Sequence, residues 1–332
     1  MSVPTRVGAH HAVAASNRSL AEQRDVDVSV LVPAKDEAEN LPLFMELAAE
    51  AFAGSKVRYE VIVIDDGSTD GSWELVQSLK ETYPFLRGER HRSRRGIADA
   101  LRTGYLASRG RVLVFYPADL QFKPEDIPRL VAPILADEAD MVTGFKQGKY
   151  EKAFVSGIYN GLSRTLFHVP VRDLNSVKAY RREIMDELPI RPDWHRYMIV
   201  LAAAQGYTVA EIPIPLYPRH AGKSKFGIGR IPVGVLDMLA VWFELRFGKK
   251  PLLLFGMVGA LLFALGVLAG AVALLMLAIA GVGIRAVWTV IQTCLILGSV
   301  FFVGGLLGEM IAVQRAEVRE LRRRLDETPP RA

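Results

Sequence analysis

Asp119 and Gln121 stand two residues apart, just beyond the apolar run Val112-Leu113-Val114-Phe115-Tyr116 and Pro117. Five apolar residues stopped by a proline predict a buried strand, which would deliver the carboxylate and the amide to its C-terminal edge. That edge is where open α/β sheets bind ligands. Hard oxygen donors of this kind suit Mg2+ or Mn2+, and such an ion suits a diphosphate. An Asp after a strand also serves in ordinary turns, so both readings stand at this point.

Two further strand ends carry similar groups. An apolar strand expected over 28–32 leads to Pro33 and Glu37, and a second over 61–64 leads to Asp65-Asp66-Gly67-Ser68-Thr69-Asp70. Carboxylates brought by separate strands to one edge predict a metal-assisted nucleotide site more readily than chance surface charge. Asp65 is placed to accept hydrogen bonds from a base or ribose. Asp66 and Asp70 are instead expected to form the turn and cap the next helix. The basic segment Arg219-His220-Ala221-Gly222-Lys223-Ser224-Lys225-Phe226 suits a diphosphate leaving group, with contact to anionic lipid as the plainer alternative.

Helical periodicity over 38–52, up to Thr82, over 98–108 and over 124–136 alternates with these strands, and another strand is expected near 141–143. This alternation predicts βαβ units and a mostly parallel sheet. Neither a Gly-x-Gly-x-x-Gly after the first strand nor a P-loop is present, which argues against a dinucleotide fold.

The C-terminal third has another character. Residues 252–284 run 33 positions without a charge and 286–308 run 23, and about 20 apolar residues suffice to cross a bilayer as a helix. Two membrane helices joined by a short turn are expected over 251–313. Arg246, Lys249 and Lys250 precede them, and Arg315, Arg319, Arg322, Arg323 and Arg324 follow. The positive-inside bias therefore places both termini in the cytoplasm, against the inner membrane. The net charge of +5 then calls for lipid headgroups or an anionic substrate rather than nucleic acid. Residues 228–250, with Ile231, Val235, Leu239 and Trp242 at helical spacing, are expected to form an amphipathic helix along the bilayer, or else to pack on the soluble part. Residues 1–26, which include His10 and His11, are patternless, show no leader-like apolar stretch and are expected to be a mobile tail. Residues 314–332 are expected to be a basic tail. Cys294, the only cysteine, falls inside the second span and has no intramolecular partner.

Taken in order, several segments resemble the family 2 glycosyltransferases of GT-A fold. They are Val30-Leu31-Val32-Pro33 with Glu37-Ala38-Glu39-Asn40-Leu41, Asp65 to Asp70, and Ala118-Asp119-Leu120-Gln121. Asp173-Leu174-Asn175-Ser176 with Lys178-Ala179-Tyr180-Arg181, His195-Arg196-Tyr197 and Arg219 to Phe226 complete the set. The similarity is to the polyprenyl-phosphate sugar synthase branch, which includes dolichol-phosphate mannose synthases and bacterial polyprenyl-phosphate glucosyltransferases, and it runs from about 28 to 313. It implies a Rossmann-like, mostly parallel α/β domain over 27–227. It also implies an enzyme that moves a hexose-type sugar, with inversion, from a UDP- or GDP-linked donor to a polyprenyl phosphate such as undecaprenyl phosphate.

By the same resemblance Pro33, Glu37, Asp65, Ala118 and Asp119 hold the donor, with Lys146, Arg219 and Lys225 as its cations. Asp119 and Gln121 hold Mg2+ or Mn2+. Asp119, Arg219 and Lys225 carry the catalysis, and Lys178, Arg181 and Ser224 take the acceptor phosphate. A homo-oligomer formed through the hairpin is also implied. The chain departs from the family in having Pro117 where a second Asp is common and Lys35 where an aromatic is common. Its acceptor segment between Asp173 and Lys178 is one residue short of the commonest pattern. Two competing readings are a non-catalytic membrane scaffold of the same fold and a processive polysaccharide synthase. The latter would carry a Gln-x-x-Arg-Trp motif and more spans, and neither is found.

Overall fold

The computed structural model describes residues 25–147, 161–167, 169, 171–188, 194–221, 231–281 and 285–327, and the expected tail over 1–26 falls almost wholly outside them. The chain divides into two compact units, one ending at Met238 and one beginning at Leu239.

In the first unit, seven strands form one sheet: β1 (Val28–Ala34), β2 (Tyr59–Asp65), β3 (Leu86–Arg90), β4 (Val112–Phe115), β5 (Met141–Gln147), β6 (Lys178–Arg181) and β7 (Val209–Pro215). Their order is β3-β2-β1-β4-β6-β5-β7. Helices α1 (Leu41–Phe52), α2 (Ser72–Thr82), α3 (Ile97–Ala107), α4 (Ile127–Leu135), α5 (Arg182–Glu187) and α6 (Met198–Ala204) lie between them in the chain. A parallel strand covered on both faces must be apolar on both, which is why Val30, Leu31 and Val32, then Val61 to Ile64, then Leu113 and Val114, are unbroken apolar runs and fully buried. The register of β1 on β2 sets Ala34 beside Asp65, and that of β2 on β3 sets Asp65 beside Arg90.

One strand runs the other way. β6 is antiparallel to both β4 and β5, with Phe115 opposite Lys178 and Val112 opposite Arg181. Lys178 therefore stands at the edge reached by the C-terminal end of β4, and Arg181 at the opposite edge. At that far edge Glu60 is buried, accepting from Ser29 Oγ at 2.6 Å, Arg109 N at 2.7 Å and Arg87 Nη1 at 3.0 Å. Burial would raise its carboxyl, but these donors hold it below its usual range.

Helix α7 (Ile231–Phe247) spans the division between the units. An amphipathic helix would present one apolar and one polar face, but α7 is apolar on two sides. Gly234, Met238 and Val241 are buried, while Val233, Leu236 and Leu239 are exposed. Its inner side belongs to the globular unit, since Tyr197 donates its hydroxyl to Gly234 O at 3.0 Å and Ser163 Oγ lies 3.6 Å from Met238 Sδ.

The second unit is built on two long helices, α8 (Pro251–Ala280) and α9 (Arg285–Glu327). Both carry membrane-length apolar windows of mean hydropathy 2.7 and 2.2, and large apolar side chains such as Met257, Leu261 and Ile279 face outward. The helices meet backbone to backbone at glycines. A Cβ on Gly259 would lie 2.6 Å from Phe302 N, and one on Gly298 would lie 2.7 Å from Phe263 N. Glu309, one of two acidic residues in the second span, is accounted for locally, because its Oε2 accepts from Leu252 N at 3.3 Å in the first turn of α8. The expected basic tail is a continuation of α9 as far as Glu327, since Ala, Glu, Leu and Arg favour helix and no breaker precedes Pro329.

Candidate active site

The loops after β1 and β2 are stitched together. Asp36 N donates to Ser68 Oγ at 2.9 Å, Thr69 N to Asp36 Oδ1 at 2.9 Å, Glu37 N to Ser72 Oγ at 2.9 Å and Ala38 N to Asp70 Oδ2 at 3.0 Å. Lys35 reaches across to the carbonyl of Gly67. Asp70 stands one residue before the N-cap Gly71 and accepts from Ser72 N, the first N–H of α2, at 3.0 Å. Asp66 has a different structural task. It accepts from His91 Nδ1 at 2.8 Å, Arg95 N at 2.7 Å and Gly96 N at 2.8 Å, and so fixes the loop that follows β3. Gly67 makes room for that loop; it has φ +74°, and a Cβ there would lie 2.9 Å from Ser93 C.

Asp65 closes β2 with its side chain buried. Its Oδ1 accepts from Ser68 N at 2.8 Å. Arg90 Nε is 3.2 Å from Oδ2 but off hydrogen-bond geometry, so Oδ2 remains a buried acceptor without a hydrogen-bond donor. Such an orphan fits an N–H or O–H of a nucleoside. Pro33, paired with Ile64 near the end of β1, and Glu37, in the stitched loop, are half-buried, and Glu37 Oε2 accepts from Asn40 Nδ2 at 2.6 Å.

The turn after β4 is built tightly. Tyr116 is buried and donates its hydroxyl to Lys123 O at 2.6 Å, while Ala118 and Leu120 pack inward. Leu120 has φ +55°, a conformation rare for a branched side chain and a sign of local strain. The segment after β7 returns to this turn, with Tyr217 N donating to Gln121 O at 2.9 Å. It brings in Arg219, whose Nη2 lies 2.9 Å from Asp119 Oδ2 and 3.2 Å from Gln121 Oε1. One cationic nitrogen thus sits between the carboxylate and the amide oxygen. The two oxygens converge on a cation-sized point, which is what a divalent ion requires of them. Among the described residues no three His, Cys, Asp or Glu side chains gather to enclose a metal. An ion at Asp119 and Gln121 would draw its other ligands from phosphate and water.

Lys146, near the end of β5, lies at this same edge of the sheet. Its ammonium is 3.2 Å from Asp173 Oδ2 and donates to Asn175 O at 2.9 Å. Lys178 is 1% exposed and donates to Ser176 O at 2.7 Å. Burial pushes its ammonium down to about 7, against the pull of Asp173 and with the repulsion of Lys146 and Arg196. Arg181 does not belong to this edge. It binds Asp140, at 2.9 Å, and Asp137 where β6 ends, so its assignment to an acceptor phosphate is corrected. The cause is the reversed direction of β6, which a parallel reading of the sheet does not anticipate. Ser224 and Lys225 lie outside the described residues.

Three groups at this edge carry no role from sequence reasoning. Arg90 ends a polar strand and has no pattern to mark it. Asp173 and His195 lie in segments singled out by resemblance alone, without a task. His195 is 3% exposed, its Nδ1 has no hydrogen-bond partner, and its ring stands edge-on to Phe115 at 6.1 Å. Burial, followed by the charges of Lys178 and Arg196, lowers it to about 3, so it is neutral at working pH.

Residues 29–186 match the Glycosyl transferase family 2 domain. Dodecaprenyl-phosphate galacturonate synthase of Rhizobium johnstonii is 29% identical over 309 residues, covering 87% of this chain and 88% of its own. Undecaprenyl-phosphate 4-deoxy-4-formamido-L-arabinose transferase of Pseudomonas savastanoi pv. phaseolicola is 28% identical over 306 residues, covering 88% and 87%. Among solved structures, glucosyl-3-phosphoglycerate synthase from Mycobacterium tuberculosis, in complex with Mn2+, UDP and glucosyl-3-phosphoglycerate, superposes with a TM-score of 0.55 at 19% identity, over 73% of this chain and 86% of that one. The chain thus carries, over residues 29–186, a domain that matches glycosyl transferase family 2, and its sheet has the GT-A form of the α/β fold.

Proposed function

We propose that this protein transfers a sugar from a nucleoside diphosphate sugar to a polyprenyl phosphate at the cytoplasmic face of the membrane. The convergence of Asp119, Gln121 and Arg219 at the ligand-binding edge carries this reading. The names of the relatives, whose lengths the chain nearly spans, support the lipid phosphate as acceptor. The hairpin of α8 and α9, with arginines flanking it, supports the membrane location.

In this mechanism Asp65 accepts a hydrogen bond from the nucleoside, and Pro33, Glu37 and Ala118 shape the adjoining wall. Lys146 lends positive charge near the donor. An oxygen of the acceptor phosphate attacks the anomeric carbon as the bond to the donor's diphosphate oxygen breaks. The sugar leaves inverted on the lipid phosphate, and the nucleoside diphosphate carries away the electron pair. The acceptor is already anionic at neutral pH, so no general base is needed, in keeping with the lack of a base assigned at this edge. Arg219 swings from Asp119 and Gln121 toward the diphosphate and stabilises its developing charge, and Lys225 is assigned the same task by its place in the basic segment. Mg2+ or Mn2+ bound by Asp119 and Gln121 would neutralise the same leaving group. A non-catalytic scaffold gives no reason for three polar side chains to meet at one point on this edge.

The test is incubation of the full chain in detergent with undecaprenyl phosphate and a panel of UDP- and GDP-sugars, followed by mass measurement of the lipid. A lipid phosphate heavier by one sugar residue, suppressed by EDTA, is the expected result. No product from any donor, together with no nucleotide binding by calorimetry, overturns the reading. A pH prediction accompanies it. Lys178 is protonated below about 7 and loses its charge above, so the KM for the lipid phosphate should rise as pH passes upward through 7. Lys178→Arg, which stays charged, should flatten that rise.

A further inference from the structure

We propose that α9, where it continues beyond the membrane, is one strand of a parallel two-stranded coiled coil whose other strand is a second copy of this chain. The proposal rests on the hairpin spanning the bilayer and not on the chemistry of the site. Three observations carry it. The first is continuity. Charge-free sequence ends at Gly308, yet α9 runs on to Glu327 as one helix. No Gly or Pro lies between Glu309 and Glu327, so nothing there supplies a kink that would lay the helix along the lipid surface. This extension is about 27 Å long, which carries its end clear of the headgroup layer.

The second is pattern. Between Gln314 and Glu327 the apolar residues larger than alanine are Val318, Leu321 and Leu325, and with Ile311 and Gln314 they recur three and four apart. That spacing is the a and d seam of a coiled coil, with Ile311, Val318 and Leu325 at a and Gln314 and Leu321 at d. Ile311, Val318 and Leu321 are 50%, 49% and 58% exposed, so the helices of this unit leave the seam uncovered. The same register runs back into the span through Leu307, also exposed, and Gly304, where a Cβ would meet nothing within 4 Å. β-Branched residues at a with Leu at d favour two strands, and a polar side chain within the seam fixes its register.

The third is charge. Two copies inserted the same way emerge from the bilayer parallel to each other. Position g of one helix then faces position e in the next heptad of the other. Glu317 at g meets the second copy's Arg322 at e, twice by symmetry. Arg315 at e meets Met310, and the place opposite Arg324 falls past Glu327, so no like charges are opposed. Within one helix Glu317 and Arg322 stand about 140° apart around the axis and do not face each other. Two heptads make a short seam, but copies held in one membrane plane meet at high effective concentration, which lowers the length required.

The test places single cysteines in the full chain, with Cys294→Ala as background, and measures disulfide-linked dimer in native membranes under mild oxidation. Val318→Cys and Leu321→Cys should give covalent dimer. Glu320→Cys and Arg323→Cys, at c and f, should give about tenfold less, because a disulfide needs its two Cβ atoms close together. In the Leu321→Cys chain, Glu317→Arg should lower the yield, and Glu317→Arg combined with Arg322→Glu should restore it. That rescue identifies a second copy as the occupant. A seam covered by lipid, by another part of the same chain or only through contact between hairpins does not answer to both charges at once. Equal yields at all four positions overturn the proposal, as do monomers at 318 and 321 or a charge reversal without effect. A wild-type chain that alkaline carbonate washes from the membrane overturns the membrane reading, and this proposal with it.

Discussion

Asp119→Ala is expected to lower sugar transfer by about a thousandfold or more while the protein stays folded, a loss of about 4 kcal/mol of transition-state stabilisation. The side chain supplies the only carboxylate of the turn after β4, and its Oδ2 is one of the two oxygens that converge on Arg219 Nη2. Alanine removes the charge that would hold a divalent ion and the carboxylate on which Arg219 rests before it turns to the diphosphate. Both losses fall on the departing group, so kcat should carry most of the effect. Asp119→Asn keeps the volume and should lose nearly as much, because it removes the one negative charge that would hold the ion and leaves two neutral amides. The checks are single-turnover transfer and, separately, nucleotide binding with and without Mg2+. Transfer within tenfold of the parent protein would remove Asp119 from the mechanism.

Asp66→Ala should produce the largest loss of stability, about 3 to 4 kcal/mol. Its carboxylate satisfies the buried ring of His91 and the backbone N–H groups of Arg95 and Gly96, and each donor stranded by alanine costs about 1 to 3 kcal/mol, with partial relaxation toward water. A domain of this size should then melt about 10 °C lower, which thermal unfolding of the full chain in detergent would register. Burial alone would raise the Asp66 carboxyl, but the donors from Arg95, His91 and Gly96 hold it below its ordinary 3.8. Its contribution is therefore complete above pH 3.8 and is lost as acid carries the pH down through the lowered value. The alanine variant should lack that part of the acid transition. A melting point within 2 °C of the parent would show that the loop after β3 is fixed by other means.

The parts of this fold that sequence could show are those where burial imposes a pattern. β1, β2 and β4 lie centrally and must be apolar on both faces, so their runs and strand ends could be read directly, and with them Asp65, Asp119 and Gln121. β3, with sequence Leu-Arg-Gly-Glu-Arg, and β7, with prolines at 213 and 215, are edge strands, where one side is free of pairing and the sequence is released from that constraint. β6 has only four residues, two of them cationic, and nothing in Lys-Ala-Tyr-Arg records the direction in which it runs. Its reversal decides that Lys178 lies at the edge of the candidate site and Arg181 at the opposite one. The approach of Arg219 to Asp119 depends on the path of the chain after β7, across 98 residues from Gln121, and no local periodicity encodes such a contact. α7 likewise differs from its expected single apolar face, because Val233, Leu236 and Leu239 are exposed while Gly234, Met238 and Val241 are buried.

The link between Glu309 and the first turn of α8 bears on how the hairpin is made. During synthesis α8 emerges 57 positions before the residue that satisfies Leu252 N, so its beginning is incomplete until the later helix has come back alongside it. A carboxylate is costly inside lipid, and an amide without an acceptor is costly there too. Each therefore favours entering the bilayer in company with the other. The pair should enter as one looped unit, with the glycine contact at 259 and 298 closing behind it, rather than as two helices threaded in succession.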